Sequence, residues 1–158
     1  MPALQVDRAG FSAYWTNRNR RQKRHRNEQL IANSEFVTDL TGWTSLPAGT
    51  GAEATWDTGR AKVARIDSTN HSRLVCTITC EVGERYEIDV VANGPAGLFV
   101  KIGTSQAGNQ TLTDQGVAAN GRGVFQFVAT QTTHHVTIRG RTNNADSFIE
   151  SASVRKVV

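Results

Sequence analysis

Few side chains in this 158-residue sequence stand where they could make or break a covalent bond. His134 and His135 are adjacent, so a strand sends them to opposite faces and they cannot share a metal ion. His134 has the parity of Val136 and Ile138 and is expected to be a satisfied, semi-buried histidine. Cys76 and Cys80 are four residues apart. On a strand they point the same way but stand about 13 Å apart, beyond the roughly 7 Å between Cα atoms that a disulfide tolerates. Both are expected to be buried core thiols, and no Cys-x-x-Cys or Cys–His spacing suggests a metal. There is no Ser–His–Asp order and no paired acidic site. Gly121-Arg122-Gly123 is too short for a phosphate loop and precedes a strand, not a helix. A protein without enzyme activity and without a cofactor is expected.

What remains is binding chemistry. Sugar recognition needs aromatic faces to stack on and amides or carboxylates to meet hydroxyls. Among the aromatics of the folded body, alternation leaves Trp56 and Phe99 as the candidates for an outward position. Trp56 follows Ala52-Glu53-Ala54-Thr55, so it either stacks on a ligand ring or fills the core beside small alanines. Phe99 is out of phase with Leu98 and Val100, and an exposed ring beside Lys101 fits a subunit contact as well as a ligand.

A second constellation lies near the N-terminus. Phe11, Tyr14 and Trp15 precede a run containing Arg18, Arg20, Arg21, Lys23, Arg24 and Arg26. Residues 1–29 hold seven bases against Asp7 and Glu28, a net of +5, whereas the rest holds 11 bases and 12 acids. This asymmetry separates a partner-seeking arm (1–29, extended or partly helical) from a near-neutral body (30–158). The arm is expected to lie on an acidic neighbour with its aromatics as anchors. Contact with nucleic acid is the lesser reading, because the aromatics precede the charges and are not interleaved with them.

The elements that position these groups have period two. Leu74, Cys76, Ile78 and Cys80 alternate with polar residues, as do Tyr86, Ile88 and Val90, and Leu98, Val100 and Ile102. Phe125 and Phe127, then Val136 and Ile138, repeat the pattern. Asp57-Thr58-Gly59, Val82-Gly83-Glu84, Asn93-Gly94-Pro95, Asn120-Gly121 and Thr142-Asn143-Asn144 supply turns. Eight to ten short antiparallel strands packed as an all-β sandwich of jelly-roll type are expected.

The segment from Leu30 to Trp43 carries Asn33, Phe36, Leu40 and Gly42-Trp43. It resembles the opening of the jelly-roll carbohydrate-binding modules, whose Asn-x-x-Phe stretch leads to Leu-x-Gly-Trp. Phe148-Ile149-Glu150-Ser151-Ala152-Ser153-Val154 stands where those modules carry their last strand. Between them, Gly59 to Val63 and Gly83 to Tyr86 follow in the same order. The resemblance spans residues 30–158 and implies a sandwich in which Phe36, Leu40 and Trp43 are core anchors. It also implies a calcium between the first and last strands, near Glu35 and Glu150. Glu150-Ser151 replaces the usual paired aspartates, and two carboxylates make a thin site for an ion that wants six to eight oxygens. No metal is therefore expected.

No apolar block follows the N-terminus as in a signal peptide, and no run reaches the roughly 18 apolar residues of a membrane span. Synthesis in a cytoplasm and no membrane association are expected. Together with the arm and the sandwich, this points to a bacteriophage virion protein made in the host cytoplasm. A capsid decoration (cement) subunit or a tail or neck appendage, forming homo-oligomers and bound to other virion proteins, is the expectation. A free glycan-binding module is the alternative, and a nucleic-acid-associated protein the third reading.

Overall fold

The computed structural model describes residues 28–158. The arm residues Phe11, Tyr14, Trp15, Arg18, Arg20, Arg21, Lys23, Arg24 and Arg26 lie outside the described residues.

Ten strands form. They are β1 (Thr44–Ser45), β2 (Thr55–Trp56), β3 (Ala61–Arg65), β4 (Arg73–Thr79) and β5 (Arg85–Asn93). β6 (Leu98–Gly103), β7 (Leu112–Val117), β8 (Arg122–Val128), β9 (Thr133–Gly140) and β10 (Ala145–Lys156) complete the set. The alternating segments of the sequence fall in five of them, β4, β5, β6, β8 and β9. They build two five-stranded antiparallel sheets, ordered β1-β4-β9-β6-β7 and β2-β3-β10-β5-β8. Only β2–β3 and β6–β7 join neighbours within one sheet, and every other connection crosses between the sheets. The inward residues of both sheets make one core, including Leu74, Ile78, Ile88, Leu98, Val136, Ile138 and Ile149. No helix occurs among the described residues.

Turn chemistry falls where the chain needs it. Thr58 (φ 48°) and Gly59 (φ 83°) close the β2–β3 hairpin, and Asn120 and Asn144 take φ of 48° and 54°, a left-handed region that Asn tolerates better than most residues. β10 slips register between Ile149 and Ser151, which bulges Glu150 out. The early part of β10 thus pairs with β3, and the strand goes on along β5.

The opening segment packs as its anchors require. Phe36 is fully buried and its ring centroid lies 5.3 Å from that of Trp43. The Trp43 amide donates to the Leu40 carbonyl at 2.9 Å, closing a turn in which Gly42 sits at φ 86°. Leu40 is half-buried against the core. Gln29, placed in the arm by charge, in fact belongs to the sandwich wall. It bridges Arg155, and its Oε1 accepts from the Val154 amide at 2.7 Å.

Cys76 and Cys80 are buried free thiols. Burial pushes the first up to about 12 and the second up to about 11, so both stay protonated near neutrality. His134 is fully buried, not semi-buried. Its Nε2 lies 3.4 Å from Thr130 and its Nδ1 has no partner. Burial and then His135 hold it below its ordinary value, so it sits in the core as a neutral ring.

Candidate binding surfaces

Trp56 ends the edge strand β2, opposite Ala61. Ala61 in turn opposes Ile149, whose partner on β5 is Ala92, and all three alanine and isoleucine side chains are buried. Trp56 therefore has inward parity. At a sheet edge, however, an inward side chain reaches the open seam of the sandwich, and Trp56 stays 42% exposed. The indole Nε1 donates to the Phe36 carbonyl at 2.8 Å. That bond fixes the ring while leaving much of its surface in solvent.

From Asp57, the next residue, runs a chain of polar groups. Arg60 Nη2 pairs with Asp57 Oδ2 at 3.0 Å, and Arg60 Nη1 reaches Asn93 Oδ1 at 3.5 Å. Asn93 Nδ2 donates to Glu150 Oε2 at 3.4 Å. The Arg60 guanidinium also lies 3.9 Å above the ring of Phe148. Phe148 opposes Lys62 and Asn93 in register and is half-exposed on the outer face. Alternation did not single out this outward aromatic. Its adjacency to the inward Ile149 was the signal available in the sequence.

Phe99 does point away from the core, but it is not an open apolar ring. It is half-buried, with the guanidinium carbons of Arg139, Arg141 and Arg65 at 4.7, 5.6 and 5.9 Å from its centroid. The expectation of an exposed Phe is corrected by this cationic cover, because long arginines from β3, β9 and the following turn fold across the ring. Glu35 and Glu150 supply no metal cage. Glu35 is an exposed turn residue, Glu150 is engaged by Asn93, and no three His, Cys, Asp or Glu side chains converge among the described residues.

A groove at the other end of the sandwich, between Leu30, Cys80, Tyr86 and Lys156, satisfies its own polar groups. Lys156 pairs with Glu81 at 2.9 Å and Glu84 at 3.6 Å, and the Tyr86 hydroxyl accepts from the Glu81 amide at 2.8 Å.

No protein-family model and no curated protein matches the chain. Solved structures do match in fold. The N-terminal cellulose-binding domain of a Cellulomonas fimi β-1,4-glucanase C superposes with a TM-score of 0.60 at 16% identity, covering 83% of this chain and 99% of that one. A CBM61 module in complex with β-1,4-galactotriose gives 0.59 at 11% identity, over 82% of this chain and 99% of that one. The enzymatically active domain of bacteriophage CBA120 tailspike protein 4 gives 0.60 at 11% identity, over 82% of this chain. The match spans about a fifth of that tailspike chain, 21% of its length. The fold is that of the jelly-roll carbohydrate-binding modules.

Proposed function

We propose that this chain is a non-catalytic glycan-binding module whose ligand stacks on Trp56. The observation that carries the reading is a tryptophan 42% exposed yet fastened through its indole N–H to the Phe36 carbonyl. A platform held in place before the ligand arrives loses little conformational entropy on binding. Asp57, the residue after Trp56, and Arg60, Asn93 and Glu150, linked to it in a chain, offer donors and acceptors for sugar hydroxyls. The fold likeness to modules described as cellulose-binding, and to one bound to β-1,4-galactotriose, supports the same reading.

Calorimetric titration with cellohexaose, xylohexaose and β-1,4-galactotriose tests it. At least one should bind. Trp56→Ala should weaken that binding about tenfold, the order expected for one aromatic contact, with the melting temperature little changed. Equal affinity in the variant would remove Trp56 from the site.

A second reading places the module on a phage particle, as a decoration or tail appendage held by its basic N-terminal arm and associated with copies of itself. The fold likeness to a tailspike domain and the +5 arm favour it. Glycan binding and particle attachment are compatible. Electron microscopy of particles assembled with the arm-deleted chain tests the attachment, and full occupancy without the arm would refute it.

A further inference from the structure

On the sheet that does not contain Trp56, one end of the outer face collects cations. Arg73, Arg139 and Phe99 lie side by side in register across β4, β9 and β6, with Val75, Thr137 and Lys101 in the next row. Arg65 and Arg141 approach the same ring from β3 and from just beyond β9. The bonds that fix these groups do not neutralise them. Arg73 donates to the Leu46 and Pro47 carbonyls at 2.8 and 3.1 Å. Arg65 donates to the carbonyls of Arg141 at 2.7 Å and Asp67 at 3.1 Å.

Carbonyl oxygens satisfy N–H groups but carry no net charge. Asp114 is the carboxylate in contact, pairing with Arg139 Nη2 at 2.7 Å. Asp67 acts on Arg65 from a capped loop. Seven groups therefore hold an excess of three positive charges. Burial chiefly holds Lys101 below its ordinary value; Asp114 opposes that shift, and Arg139 and Arg73 add to it. Between Val75 and Lys101, Thr137 is fully buried on this face and its Oγ1 has no partner. A buried hydroxyl without a partner is uncommon and costs free energy.

We propose that this face is a second binding site, for the carboxylate or sulfate of an acidic saccharide. Guanidinium groups already fixed by carbonyls present their remaining N–H donors without further ordering, and charge-assisted bonds to a carboxylate or sulfate are the strong class. The cations surround a single ring and do not run in a stripe, so the face fits one acidic sugar residue better than a nucleic-acid backbone.

The test uses the full chain, so the arm's bases are present in every arm of the experiment. Oligogalacturonate, a heparin-derived sulfated hexasaccharide, cellohexaose and single-stranded DNA are titrated into the wild type, Trp56→Ala and Lys101→Gln/Arg141→Gln. One of the two acidic saccharides should bind, and its affinity should fall about tenfold in the double variant. Trp56→Ala should leave it unchanged, which separates this site from the stacking site whatever the fate of the latter. The melting temperature of the double variant should be equal or higher, since a repulsion is relieved. Unchanged affinity for both acidic saccharides, or no binding of either, would overturn the proposal. So would DNA binding that equals the saccharide's and falls with it, which would reassign the face to nucleic acid.

Discussion

Trp43 and Phe36 lock the first residues of the sandwich to its core, where both are buried and their rings pack 5.3 Å apart. Trp43→Ala leaves a cavity that the surrounding strands cannot close, at a cost of about 3–5 kcal/mol. Urea unfolding of the variant measures it. A loss of under about 1 kcal/mol would mean that the indole is not a core anchor. His71 makes a second prediction at this scale. Burial first, then the charges of Arg139, Arg73, Arg65 and Lys101, lower it from 6.5 to about 4. Between those values the unfolded chain binds a proton that the folded chain refuses. Its contribution is therefore intact above pH 6.5 and is lost as the pH falls toward 4. His71→Gln should flatten the stability profile in that window, and an unchanged slope would show that the imidazole titrates freely.

Pairing between loops and strands decides which glycines are indispensable. At Gly51 an added Cβ would lie 2.5 Å from the His71 carbonyl oxygen, against backbone that has no room to move. Ala48 and His71 exchange backbone hydrogen bonds at 2.9 and 3.3 Å in the same place. Gly51→Ala should therefore lower stability by roughly 1–3 kcal/mol through strain alone. A melting temperature equal to the wild type would show that the loop relaxes at no cost. Strands were legible in the sequence because a half-buried strand writes its burial directly into alternate residues, as Tyr86, Ile88 and Val90 do. Edge effects were not. Trp56 has inward parity and an exposed ring, and Phe99 has outward parity and a covered one. Both depend on which strand is outermost and which distant arginines fold back, and alternation carries neither fact. Gln29 was misplaced for a related reason, since its bond to Val154 spans 125 residues.

Across the whole molecule, charge is divided between an arm of +5 and a body near neutrality, while the described core closes without the arm. Deleting residues 1–27 should leave a folded sandwich that keeps Gln29 against β10. Its melting temperature should lie within a few degrees of the full chain, and collapse of cooperative unfolding would show that the arm is part of the fold. The glycan-binding account is tested most directly by the indole N–H signals in a proton–nitrogen correlation spectrum. The chain has three tryptophans, so the signals of Trp15, Trp43 and Trp56 can be assigned by substitution. Titration with whichever of cellohexaose, xylohexaose or β-1,4-galactotriose binds should shift the Trp56 signal progressively to saturation and leave that of Trp43 in place. Saturable binding that leaves the Trp56 signal unmoved would contradict the account.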